Sequence, residues 1–173
     1  LKSTRSVYGC ADTLDTLASR GTIPPAVEAI PVDGQTLEIG SFTVTSFPTS
    51  MMCPAAATAS ATQEGRVMAF ATDLGYLTPV VQDNLMGCDL VALEANYDAF
   101  SLHGGPYPYY LKVRIASDRG HLDNKACAAE ILDLIQDGCK KFALCHLSQT
   151  NNSPELVMTT VYNVLLAAGI QPG

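Results

Sequence analysis

Three side chains sit where their type and setting could support chemistry. Asp73 closes the apolar run before Ala71-Thr-Asp, and His146 closes the run Phe142-Ala-Leu-Cys-His. Between them, Ser117-Asp-Arg-Gly-His-Leu-Asp-Asn places His121 just ahead of a helical pattern. A carboxylate and an imidazole at neighbouring strand ends offer one oxygen and one nitrogen, a donor pair suited to zinc or manganese. Two ligands are too few for a closed site, so at least one more has to come from elsewhere. Each residue also has a plainer reading: Asp73 can cap the next turn, and His146 can be a hydrogen-bonded core histidine. His121 lies where backbone N–H groups and a helix dipole favour an anion such as phosphate. There it could hand a proton to a leaving oxygen, or simply support its turn. Glu94, at a third strand end, can hold a ligand from behind or bond backbone N–H groups.

The surroundings carry polar and aromatic groups of the right kind. Lys112, Arg114, Arg119 and Lys125 fall within 14 residues around His121, on a chain whose net charge is −7. That charge argues against broad, non-specific nucleic-acid binding. A local phosphate-facing patch and a set of charges paired with Asp118 and Asp123 are both compatible with it. Asn124 joins Lys112, Arg114 and Arg119 as a candidate substrate-binding residue. Tyr97, Tyr107, Tyr109 and Tyr110 could stack on bases or pack beneath a long loop. His103, in Ser-Leu-His-Gly-Gly, is explained by loop polarity.

These residues need a scaffold. The pattern predicts a helix over 10–20 stopped by Gly21, then a hairpin of 36–39 and 42–47 turning on Gly40-Ser41. The small-residue run 48–62 has no period and reads as a loop. A strand over 66–72 follows, then a helix from Thr78-Pro79 to about 86 and a strand over 89–94. Residues 96–116, rich in Gly, Pro and Tyr, read as a long functional or mobile connection. Asp123 or Asn124 caps a helix to about 137 with Cys127, Ile131, Leu134 and Ile135 inward. A strand over 141–145 and a helix from Ser153-Pro154, with Leu156, Val157, Val161, Val164 and Leu165 inward, complete the alternation. This is α/β layering, with chemistry expected at strand ends.

With 173 residues, 47% of them apolar, the chain can build one domain with a real core. No apolar stretch approaches the ~20 residues that span a bilayer, and no leader with a long apolar run is visible. The chain starts without Met, as a piece of a longer protein would. Its six cysteines include no Cys-x-x-Cys pair. Buried free thiols in a reducing cytoplasm are therefore expected, rather than a zinc–thiolate site.

Five segments occur in order: Ala71-Thr-Asp-Leu-Gly-Tyr, Glu94-Ala-Asn-Tyr-Asp, Gly105-Pro-Tyr-Pro-Tyr-Tyr-Leu-Lys-Val-Arg-Ile, Gly120-His-Leu-Asp-Asn and His146-Leu-Ser-Gln-Thr-Asn-Asn. Together they resemble the C-terminal portion of a metallo-β-lactamase-fold hydrolase of the YycJ/WalJ branch. The order Gly-His-Leu, helix, strand, His is also similar to ribonuclease Z. The resemblance implies a four-layer αβ/βα fold and a phosphodiesterase with two divalent metals, zinc or manganese, related to DNA exonucleases of repair. It implies that Asp73 bridges the metals, that His146 ligates the second, and that His121 assists the leaving group. Water activated at the metals would cleave the phosphodiester.

The family's upstream His-x-His-x-Asp-His segment is absent, and Ser50 is followed by Met51-Met52 where the family runs Ser-His-Asp. A thioether is a poor ligand for hard metals, so the first metal site keeps only Asp73. Residues 1–173 are thus expected to form a single incomplete domain, catalytically incompetent alone. One alternative is a metal-free module that binds nucleic acid or a partner through 96–125. Another is the same fold acting on a small ester or cyclic phosphodiester. The expected partners are nucleic acid, DNA ahead of RNA, and the missing N-terminal half or another copy of the chain, with no membrane.

Overall fold

The structure, a computed structural model, describes residues 5–50 and 65–171 in full and 56–62 as backbone. The chain opens with β1 (Ser6–Gly9), α1 (Ala11–Ser19) and β2 (Glu28–Pro31). Strands β1 and β2 pair in parallel as a small separate sheet. Four-residue strands with no clear alternation gave no signal for it. Helix α1 buries Leu14 and ends before Gly21, whose φ of +66° only glycine takes freely.

The second sheet has six strands in chain order: β3 (Thr36–Ile39), β4 (Phe42–Pro48), β5 (Ala56–Thr62), β6 (Val67–Ala71), β7 (Leu90–Glu94) and β8 (Lys141–Cys145). Pairing is antiparallel from β3 to β6 and parallel from β6 to β8. The expected hairpin stands as β3 and β4. The expected loop over 48–62 does not, because β5 fills much of it. Alanine, serine and threonine differ too little in polarity to show a period of two, and the ladder to β4 and β6 decides the conformation. Met51-Met52 lie outside the described residues.

Helix α2 (Pro79–Leu85) links β6 to β7. It is capped by the Thr78 hydroxyl, which accepts from the Val81 N–H. The connection from β7 to β8 is not a long loop. It contains α3 (Ala99–Gly104), α4 (Tyr109–Ile115) and α5 (Asn124–Asp137). The Asp98 carboxylate caps α3 by accepting from the Ser101 N–H. Helices of six and seven residues, set among Gly, Pro and Tyr, are too short to show an apolar period. Asp123 caps α5 as expected, accepting from Lys125 and Ala126 N–H groups.

Helix α6 (Pro154–Ala167) ends the alternation. Val157, Val161 and Leu165 face inward at a spacing of four, while Leu156 is 42% exposed rather than buried. Among the described residues, no helix is long and apolar enough to cross a membrane.

Helices α2, α5 and α6 cover one face of the large sheet. Ala69, Ala71, Val91 and Leu93 are fully buried there against Val81, Leu85, Ile131 and Leu134. Phe42, Met68 and Phe70 point off the other face and stay 44%, 42% and 43% exposed.

Glu130 on α5 is the odd member of the buried layer, 2% exposed. Its Oε2 accepts from Gln82 Nε2 at 2.8 Å, and its Oε1 has no partner. Burial raises its pKa above the usual carboxylate value; the Gln82 bond opposes this and Asp133 adds to it. The folded state therefore keeps this proton to higher pH than the unfolded chain does. Stability falls as pH rises from the unfolded value through the folded one. The expected outcome is that Glu130→Gln melts above the parent at pH 8, by a margin that shrinks toward pH 4, as followed by circular dichroism.

Candidate metal centre

Strands β6, β7 and β8 run parallel side by side, so their C-terminal ends deliver side chains to one edge. Asp73 follows β6, Glu94 ends β7 and His146 follows β8. Asp73 and His146 have φ of 56° and 57°, and no other described non-glycine residue has a positive φ. The left-handed conformation costs an L-residue roughly 1–2 kcal/mol, and such strain collects at functional sites.

His121 reaches the same edge from the turn between α4 and α5. That turn is held by His121 N–H to Ile115 O at 2.8 Å and Asn96 N–H to Leu122 O at 2.9 Å. Gly120 is required there, because a Cβ would stand 2.0 Å from Ile115 O.

Glu94 joins the groups. It is fully buried. Its Oε1 accepts from His121 Nδ1 at 2.7 Å and His146 Nδ1 at 2.9 Å, and its Oε2 accepts from the Leu74 N–H at 2.5 Å. An ionised carboxylate can only accept, so both imidazoles carry a proton on Nδ1 and keep Nε2 unbonded. The two rings stand edge to face, with centroids 5.1 Å apart. Asp73 Oδ1 lies 4.0 Å from His121 Nδ1 and 3.9 Å from His146 Nδ1. The hydrogen bond to Glu94 raises the His121 pKa above the usual imidazole value; burial works against it, and the charges of Glu94 and Asp73 work with it.

One ligand atom from each of Asp73, His121 and His146 lies within 4.8 Å of the other two. A carboxylate from Asp73 and an imidazole from His146, backed by the buried Glu94 carboxylate, offer an oxygen and a nitrogen that fit a divalent ion with positions left open, and His121 stands beside them. Three buried or half-buried cysteines are poor competitors for this role. Burial pushes the Cys127 thiol up to about 12 and those of Cys88 and Cys145 to about 11.

The other candidates divide. Arg114 and Arg119 line a cleft of about 370 Å³ together with His121 and His146. Lys112 lies in a different cavity, and its Nζ donates to His103 O at 2.6 Å. Asn124 does not face a substrate. It is 2% exposed, and its amide exchanges two 2.9 Å hydrogen bonds with that of Asn152. Asn152 also donates to Ala95 O, and Asn96 donates to His146 O, both at 2.8 Å. These asparagines fix the His146 turn beneath the site. Their only trace in the sequence is the Asn-rich run after the histidine. Ser50 accepts from the Gly75 and Tyr76 N–H groups and so braces the Asp73 loop.

A buried carboxylate on parallel strand ends, with aspartate and two histidines before it, belongs to a defined class of folds. Residues 1–146 match the β-lactamase superfamily domain, and the chain belongs to that superfamily, with the metallo-β-lactamase fold. It is 33% identical over 153 residues to exodeoxyribonuclease YycJ of Bacillus anthracis, covering 88% of this chain and 58% of that protein. It is 32% identical over 140 residues to exodeoxyribonuclease WalJ of Streptococcus pneumoniae, covering 81% of this chain and 52% of that protein. The resemblance read from the sequence motifs is borne out. The chain spans little more than half the length of these curated relatives. Among solved structures, the metallo-β-lactamase fold protein YhfI from Bacillus subtilis superposes with a TM-score of 0.70 at 18% identity, covering 94% of this chain and 59% of that one.

Glu94→Gln keeps the shape but leaves one acceptor oxygen, so it can no longer fix both imidazoles and bond Leu74. Zinc affinity is expected to fall by roughly 10–100-fold, measured by competition with a chromogenic chelator.

Proposed function

We propose that this chain carries part of a metal-dependent phosphodiesterase site for nucleic acid, DNA ahead of RNA. Asp73 and His146 hold a zinc or manganese ion in this reading, and Glu94 supports the imidazoles from behind. The supporting observation is the convergence of Asp73, His121 and His146 on one edge, with both imidazoles on a single buried carboxylate oxygen. Relatives named as exodeoxyribonucleases point to the same substrate class. When bound, the metal polarises a phosphoryl oxygen and makes a water nucleophilic.

The chain's own residues supply the rest. The Glu94 bond favours the protonated His121 ring, which lines the cleft and can donate to a leaving oxygen. Arg114 and Arg119, in the same cleft, bind the phosphate. A second ion would share Asp73 and take its other ligands from sequence outside this chain. The isolated polypeptide is therefore a half-site that binds metal and lacks turnover. The five described cysteines are free thiols, which suits a reducing cytoplasm.

Elemental analysis should find one equivalent of zinc or manganese, abolished by Asp73→Ala or His146→Ala, with no measurable exonuclease turnover. Metal-dependent turnover equal to that of a full-length relative would overturn the half-site reading. No metal after incubation with either ion would leave a metal-free binding module.

The Phe42, Met68 and Phe70 face is where we place the remainder of an αβ/βα sandwich or a second copy of the chain. Concentration-dependent sedimentation and binding of a hydrophobic dye are expected. A strictly monomeric, dye-silent chain would count against that placement.

A further inference from the structure

Three hollows follow one another around α4. His121 lines the Arg114 cleft. His121 also lines a second cleft of about 390 Å³, which reaches Tyr97 and Ala116. Tyr97 and Ala116 in turn line a third cavity, of about 330 Å³, between α3 and α4. That volume is within the range of small-molecule sites.

The third cavity differs in character from the metal edge. Its walls are Tyr97, Leu102 and Val113, with Tyr109 and Lys112 beside them. Lys112 spends one of its three N–H donors on His103 O, which fixes the ammonium and leaves it able to meet an anion. Phe100, Tyr109 and Tyr110, on the same two short helices, are 86%, 81% and 74% exposed, more than any other large apolar side chain described. Exposed aromatic rings beside a lysine and an arginine, on an otherwise acidic chain, match what single-stranded nucleic acid presents: flat bases on an anionic backbone.

We propose that the cavity between α3 and α4 is a nucleobase subsite for the strand whose phosphate lies at the Asp73–His121–His146 edge, an inference that rests on the nuclease reading above. The base enters beside Tyr97 and Tyr109, and Lys112 meets a backbone phosphate. Such a subsite takes a base that is out of its stack.

The chain has no tryptophan, so Tyr109→Trp places a sole indole reporter at the cavity. The probes are hexathymidylate and a hexamer of the same charge with abasic sites in place of thymidines. Hexathymidylate should quench the indole and bind the parent roughly ten-fold more tightly than the abasic oligomer. Val113→Trp, at a half-exposed wall position that tolerates bulk, should fill the cavity and erase that difference. Arg114→Ala should weaken both oligomers alike. Equal binding of the two oligomers to the parent, without quenching, would overturn the subsite and leave the nuclease reading in place. No binding of either oligomer would remove the nucleic-acid reading and the subsite with it. Indole emission that follows protein concentration instead of oligonucleotide would assign the aromatic face to a second copy and overturn the proposal.

Discussion

A carboxylate with no access to water is the constraint around which the rest is arranged. Glu94 is buried at the end of β7, between two other parallel strands. Removing such a charge from water costs several kcal/mol unless its lone pairs are satisfied. Both histidines and the Leu74 amide do this, so the residues that could hold a metal are also those that make the burial tolerable. His121 and His146 come from turns about 25 residues apart in sequence. Their shared acceptor registers the α4–α5 turn against the end of β8. The asparagine network beneath His146 then locks that register from the opposite side.

Much of this was legible in the sequence where local chemistry and fold agree. Thr78-Pro79 and Ser153-Pro154 begin helices as written, and the apolar runs ending at residues 71, 94 and 145 are parallel strands. Asp73, Glu94 and His146 were legible as strand-end residues because a polar side chain closing an apolar run stands out. What stayed hidden was tertiary in origin. Strand β5 has no contrast between its faces, and α3 and α4 are too short for a period. Asn124 looked like a surface residue because asparagine usually is one, and only the reciprocal pairing with Asn152 buries it. The role of Glu94 as a common acceptor depends on three strands and a turn meeting, which no single segment encodes.

The sheet divides the labour between its two faces. Small and branched side chains on β6 and β7 pack under α2 and α5 and make the edge rigid. The opposite face, with Phe42, Met68 and Phe70, contributes nothing to that core. The edge that carries Asp73, Glu94 and His146 therefore draws its apolar support from one layer of helices, with Ser50, the α4–α5 turn and the asparagine network fixing its loops. That explains how the Glu94 arrangement can be complete in a chain spanning little more than half of its relatives' length.

Asp73 pays for its place in a left-handed backbone. Glycine would relieve that strain. Selection for heat resistance alone would consequently drift toward glycine at residue 73 and return a sturdier protein stripped of the carboxylate proposed to hold a metal. Engineering of this scaffold has to screen for the proposed metal binding and for thermal tolerance together, since at this residue the two pull in opposite directions.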